Sequence, residues 1–227
     1  MRTGRALSLA LVALAAAAGC ASSSSGGNAQ VSPATGAPSG TATNANGCTP
    51  PPALQKTPQS YKSEPKLKIA RTTYTATIVT NCGTITVKLD GKHAPHTVNS
   101  FAFLAGKGYF DDTPCHRLTD WGVLQCGDPT GTGGGGPGYT LPDENLKGAT
   151  YGPGVLAMAN TGRPHTGGSQ FFFCYEDTGL PAQYTPFGKI TKGLDILTRV
   201  AAAGSNPPQD GAPVQPVVIE SFTVTKG

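Results

Sequence analysis

The chain's candidates for metal or nucleophile chemistry are four histidines and six cysteines, and their spacing serves neither. No CxxC pair and no HExxH helix accompanies His93, His96 or His116, so a zinc site has no frame. Ser169 sits in "GGSQF", where Phe171 replaces the last glycine of an esterase elbow. A Ser169 nucleophile with His116 or His165 as its base is the weaker alternative. Gly131, Gly133 and Gly136 fall in GxGxxG register, but Pro137-Gly138 follows where a phosphate-binding helix should begin, and no GK[ST] occurs. That run reads as a mobile surface loop.

Recognition without a cofactor is what remains. In "TGGSQFFFC" a strand sends successive side chains to opposite faces, so Gln170 and Phe172 share one face and Phe171 and Phe173 the other. An amide beside an aromatic ring suits a pocket that is apolar and still makes a directed hydrogen bond. The plain alternative is a buried strand whose glutamine is satisfied by backbone. Arg117 lies between apolar positions in "CHRLTDWGVLQCGDP". Either it sits at a rim, paired with Asp120 or Asp128, or it converges with Gln125, Asn160, Gln170 and Phe172 on one face of a barrel wall.

Elements able to position these residues are legible in outline. "YTATIVTNCGTITVKLD" alternates through Tyr74, Ala76, Ile78, Ile85, Val87 and Leu89 around a turn at 81–83, which predicts a hairpin. "PHTVNSFAFLAGKG" predicts a helix with Pro95 in its first turn and Val98, Phe101, Ala102 and Ala105 on one stripe. Short strand candidates follow in "CHRLT", "VLQC", "VLAMAN", "QFFFCY" and "FGKIT". "LDILTRVAAAG" predicts a second helix with Leu194, Leu197, Val200 and Ala201 inward, and "PVVIESFTVT" a closing strand. Many short strands with two helices predict an all-β antiparallel barrel with helices plugging its ends.

The ends of the chain carry other information. "MRTGRALSLALVALAAAAGC" has Arg2 and Arg5 before an apolar run that closes on small residues, the pattern of a secretory signal over 1–19. Its "AAGC" resembles a bacterial lipobox, which implies cleavage before Cys20 and diacylation of its sulfur; two acyl chains anchor a protein stably where one does not. Residues 20–66 are rich in Ser, Gly, Ala, Thr, Asn and Pro, and they predict a disordered tether that leaves the folded domain at 67–227. The formal charge of +4 resides in the signal and in "KTPQSYKSEPKLKIAR". From Thr72 onward 10 Lys and Arg face 12 Asp and Glu, which argues against nucleic acid as a partner. With Cys20 set aside, five cysteines remain and one must be unpaired within a monomer. Cys115 and Cys126 flank a strand-turn-strand run that could bring them within disulfide range or, with a slight register change, hold them apart.

Taken together, "APHTVNSF", "CHRL", "LQCGDPTGTGGGGPGY", "DEN", "GVLAMANTG", "GGSQFFF" and "YTPFGKI" resemble the cyclophilin family of peptidyl-prolyl cis-trans isomerases, in its order and spacing from Thr72 to Thr225. The resemblance implies a closed eight-stranded antiparallel barrel capped by two helices, with the active groove outside the wall. It implies Arg117 and Gln170 as the catalytic pair, with Gln125 orienting Arg117. Ala159 and Asn160 hold the peptide backbone, Phe172 floors the proline pocket, and Val123, Leu180 and Tyr184 line it. Two positions depart from the pattern. The aromatic expected soon after the arginine falls on Gly122, next to Trp121, and Gly179 stands where a tryptophan is usual before Leu180. Trp121 either turns inward as the missing wall or lies on the surface.

These residue types suit the implied reaction. Rotation about a peptide bond must break amide resonance, a barrier of about 18–20 kcal/mol. In the twisted state the proline nitrogen regains its lone pair, and a fixed donor aimed at it binds that state better than the planar one. No cofactor, metal or nucleophile is needed. The partners implied are proline-containing polypeptides of exported proteins, met by a monomer held at the extracytoplasmic face of the cell membrane. A cyclophilin-like module that holds proline segments without turning them over is the alternative from another class.

Overall fold

The computed structural model describes residues 43–54 and 57–227; the expected signal, Cys20 and the first part of the tether lie outside them. β1 (Thr73–Thr80) and β2 (Gly83–Asp90) form the expected hairpin in unbroken register from Thr73↔Asp90 to Thr80↔Gly83. Tyr74, Ala76, Ile78, Ile85, Val87 and Leu89 all face inward. α1 (Pro95–Gly106) follows, with Pro95 in its first turn. Its free N–H groups at His96 and Thr97 are satisfied by Glu144, 48 and 47 residues away, and not by a local cap. α1 buries Val98, Phe101, Leu104 and Ala105.

Nine more strands complete the sheet: β3 (Thr113–Pro114), β4 (Arg117–Thr119), β5 (Val123–Cys126), β6 (Val155–Met158), β7 (Phe171–Cys174), β8 (Pro186–Lys192), β9 (Ser205–Asn206), β10 (Asp210–Pro213) and β11 (Val218–Lys226). α2 (Leu194–Ala202) lies between β8 and β9 and buries Ile196, Leu197 and Val200, with Leu194 and Ala201 partly covered. The strand order is β3-β11-β1-β2-β8-β6-β7-β5-β4-β10-β9, antiparallel at every pairing.

The expected closed ring of eight is thus described instead as a curled half-barrel of eleven strands, whose two ends, β3 and β9, do not pair with each other. The additional members β3 and β9 are two residues long, too short for a period-two pattern to reveal, and the four of β10 are Asp-Gly-Ala-Pro, which read as a turn. Inside the curl, Phe101 packs on Phe110, Phe171, Phe187 and Phe222 with ring centroids 4.6–6.0 Å apart. Each fully buried ring of this kind contributes roughly 1.5–3 kcal/mol.

Within the stretch assigned from composition to a disordered tether, the described residues 43–54 and 57–66 include several tied to the domain. Cys48 is fully buried and bonded to Cys82. The Asn81 side chain donates to the Thr49 carbonyl, the Tyr61 N–H donates to the Pro137 carbonyl, and Glu64 meets His96 at 2.7 Å. Composition counts only apolar side chains, and this segment is held by backbone hydrogen bonds and a disulfide.

Candidate active site

Strand register builds the site. Arg117 lies opposite Gln125 across β4–β5, Gln125 opposite Phe172 across β5–β7, and Phe172 opposite Ala157 across β7–β6. Directly paired residues project to the same face, so these four form one row across the outer wall. Two strand spacings, about 10 Å, separate the backbones of Arg117 and Phe172. Phe172 belongs to the outer cluster with Val123, Tyr151, Ala157 and Cys174, while Phe171 and Phe173 belong to the main core. The alternation expected of "FFF" is what the strand delivers.

The row opens into a cavity of about 450 Å³ that takes in Arg117, Val123, Gln125, Ala159, Asn160, Phe172, Leu180 and Tyr184. Every expected site residue is there except Gln170. Phe172 is its floor at 3 % exposure. The Tyr184 ring stands edge-on to it at 5.6 Å, and Tyr151 supports both from beneath, at 6.2 Å from Phe172 and 5.9 Å from Tyr184. The Tyr151 hydroxyl donates to the Tyr184 carbonyl and accepts from the Tyr184 N–H, which fixes that wall. The Asn160 side chain donates to the Gln183 carbonyl, and the Ala159 N–H donates to the Gln170 carbonyl. Trp121 resolves to the inward alternative in part: it is 37 % exposed, lines the cavity, and lies 5.5 Å from the Arg117 guanidinium. Gly122 follows it at φ +106°, a conformation that side chains rarely adopt.

One chain of hydrogen bonds runs along the rim, and its direction is forced. Arginine only donates, so the 3.2 Å contact from Arg117 Nη1 makes Gln125 Oε1 the acceptor. The Gln125 amide nitrogen must then donate to Gln170 Oε1, at 2.8 Å. That leaves Gln170 Nε2 to donate to the carbonyls of Gly133 and Gly135, both at 2.9 Å. Gln170 borders an adjoining cavity of about 550 Å³, which shares Gln125, Ala159 and Asn160 with the first, and its amide holds the glycine-rich loop against Gln125.

That loop is cross-linked rather than loose. Asp128, buried, accepts from the Thr130 hydroxyl and from the N–H groups of Thr130, Gly133 and Gly135. Burial raises its pKa, but these donors outweigh it and hold the carboxyl below its usual range. His116 also lines the cavity, with both ring nitrogens covered. Burial pushes its pKa down, only partly opposed by Asp128 and by the neighbouring Gln170 amide. The imidazole is therefore neutral near pH 7 and adds no charge beside Arg117.

Arg117 pairs with neither Asp120 nor Asp128. Nε and Nη2 form a two-pronged bond to Asp210 of β10, both distances 2.7 Å. Asp210 raises the guanidinium pKa and is itself lowered by it. Sequence reasoning missed Asp210, which sits 93 residues from Arg117 in the turn-like "PPQDGAP" and carries no local signal of a site. It also missed Tyr151, which reads as one more aromatic in a loop. Cys115 and Cys126 are joined, as one of the two alternatives allowed, and among the described residues Cys174 is the free, buried cysteine. Burial lifts its thiol to about 12, so it is inert.

Comparison with known proteins gives the family. Residues 75–224 match the family of cyclophilin type peptidyl-prolyl cis-trans isomerases. The chain belongs to that family. It is 43 % identical over 194 residues to the probable peptidyl-prolyl cis-trans isomerase B of Mycobacterium leprae, covering 77 % of this chain and 65 % of the relative. The corresponding Mycobacterium tuberculosis protein is 45 % identical over 161 residues, 63 % of this chain and 52 % of the relative. The chain thus spans between half and two thirds of the length of these relatives. A Cryptosporidium parvum cyclophilin type isomerase, solved in the presence of the dipeptide Ala-Pro, superposes with a TM-score of 0.62 at 30 % identity, covering 67 % of this chain and 99 % of that one. Beside Gly122, one of the two positions where the sequence departs from the family pattern, the half-exposed Trp121 lines the cavity.

Proposed function

We propose that this cyclophilin isomerises X-Pro bonds in polypeptides, with the proline ring seated on Phe172 and Arg117 donating to the proline nitrogen as the bond twists. The observation that carries the reading is the row Arg117–Gln125–Phe172, which puts a hydrogen-bonded cation and an apolar floor on one face, lining one cavity. Three of the five guanidinium N–H groups are taken by Asp210 and Gln125. One on each of Nη1 and Nη2 remains to donate. A donor held in place before the reaction requires no reorganisation at the twisted state, and low-dielectric walls strengthen its effect. The planar bond offers no lone pair to it, so the stabilisation is specific to the transition state. Gln125 orients the arginine, and Gln170 acts through Gln125 and the loop.

The test is turnover of a short X-Pro peptide by the full chain. Arg117→Ala should lower kcat/KM by roughly 10²-fold or more, the scale of removing one preorganised donor. An unchanged rate would sink the mechanism. A wild-type chain that binds the peptide without isomerising it would instead make this a proline-binding module.

We further infer that the clients are exported proteins whose folding is assisted outside the cytoplasm, and that the chain acts as a monomer lipidated at Cys20. The disulfides Cys48–Cys82 and Cys115–Cys126 support an oxidising compartment. The "AAGC" ending and the polar segment after it support the anchor. Cys20→Ala should release the protein from membranes or block its processing; an unaltered protein found wholly soluble and without lipid would refute the anchor.

A further inference from the structure

Asp210 is the one charged residue on the cavity wall that neither the motifs nor the mechanism above employs. Its placement is built into the sheet. β10 pairs with β4 so that Asp210 lies opposite Thr119 and Gly211 opposite Leu118. Thr119 is two residues from Arg117 on the same strand, hence on the same face, and Asp210 is therefore the diagonal cross-strand neighbour of Arg117. The short strand β9 backs β10 through Ala212↔Asn206 and Pro213↔Ser205. Gly211 makes this close approach feasible: a Cβ there would lie 2.4 Å from the Asn206 carbonyl carbon and 2.5 Å from its oxygen.

We propose that Asp210 is a positioning residue for isomerisation: its carboxylate clamps the Nε–Nη2 edge of Arg117 so that the opposite edge faces the proline. The inference rests on the isomerase reading of the same groove. Two parallel charge-assisted bonds fix the plane of a guanidinium, which a single contact leaves free to rotate. Gln125, with one contact of 3.2 Å, fixes a point on Arg117 but not its plane. The arginine is 36 % exposed and Asp210 49 %, so without the clamp the side chain has room to swing into solvent. The clamp holds the donor still, and its charge falls on the edge remote from the substrate.

A double-mutant cycle on the full chain tests this, reading kcat/KM for an X-Pro peptide, peptide Kd, and thermal melting. Asp210→Ala should lower kcat/KM roughly tenfold, since a lost charge-assisted contact is worth about that factor. Peptide Kd and the melting temperature should stay nearly unchanged, because Asp210 is half-exposed and makes no contact with the apolar floor. Asp210→Glu, which keeps two oxygens, should recover most of the rate, and Asp210→Asn, which keeps one, should not. In an Arg117→Ala background, Asp210→Ala should cost less than twofold. Equal losses from Asp210→Ala with and without Arg117 would overturn the assignment, as would an Asp210→Ala rate equal to or above wild type. In both cases a slow Arg117→Ala leaves the isomerase reading standing. A wild-type chain that does not isomerise the peptide overturns that reading, and the Asp210 role falls with it.

Discussion

Phe172 and Phe173 are adjacent phenylalanines in one strand, 3 % and 1 % exposed, and truncating each should produce opposite phenotypes. Phe173→Ala opens a hole in the main core, where the ring packs edge-on to Phe171 at 5.3 Å. Such a change costs about 3–5 kcal/mol and should leave the activity of the folded fraction intact. Phe172→Ala removes the floor of a groove that already opens to solvent, so water can enter the space and the stability cost should fall at or below the lower end of that range. Its main effect is on the substrate. Seating the three ring methylenes of proline contributes about 2.4 kcal/mol at roughly 0.8 kcal/mol per CH₂. Val123, Leu180 and Tyr184 still wall the pocket, so about half of this, ~1.2 kcal/mol, should be lost, or roughly eightfold in kcat/KM. The assay pairs urea unfolding with peptide isomerisation for both variants at a temperature where each is folded. If Phe172→Ala turns peptide over as well as wild type, or if Phe173→Ala is the variant with the larger catalytic defect, the assignment of faces is wrong and with it the seat of the proline.

Other consequences are open to simpler measurements. Trp121 emission should shift when a proline peptide saturates the groove, since the indole lines it beside Arg117; a fixed spectrum would place the indole outside the binding region. Disrupting Cys48–Cys82 should destabilise the protein by about 1 kcal/mol more than disrupting Cys115–Cys126, because 34 residues separate the first pair and 11 the second. Equal losses in urea unfolding would count against that entropic account. His116 is half-buried with a lowered pKa, so the unfolded chain takes up its proton below about pH 6.5 while the native state resists it. Stability should be level above that pH and decline below it, and His116→Gln should flatten the decline; an identical pH profile in the variant would show that His116 does not contribute.

The sequence alone determined a good deal of this protein, and for physical reasons. Period-two alternation in 73–90 and the helical stripe around Phe101 follow from local geometry, because a one-residue slip would expose the whole apolar set. The same rule separated Phe172 from Phe171 and Phe173 before any contact was known. The motif set carried the family, and with it the groove, because those segments retain the family's order and spacing. Composition did not reveal the attachments around Cys48 and Tyr61, since hydrogen bonds and the Cys48–Cys82 disulfide need few large apolar side chains.

Only the tertiary structure decided what Arg117 and Gln170 touch. Both are polar side chains on strands, and nothing local chooses among partners such as Asp120, Asp128 and Asp210. That choice is made by the register of β10 on β4, a pairing of residues over 90 positions apart. The direction of the Arg117–Gln125–Gln170 chain was equally invisible, because an amide's two ends become distinct only when an arginine at one end and backbone carbonyls at the other dictate which must accept and which must donate.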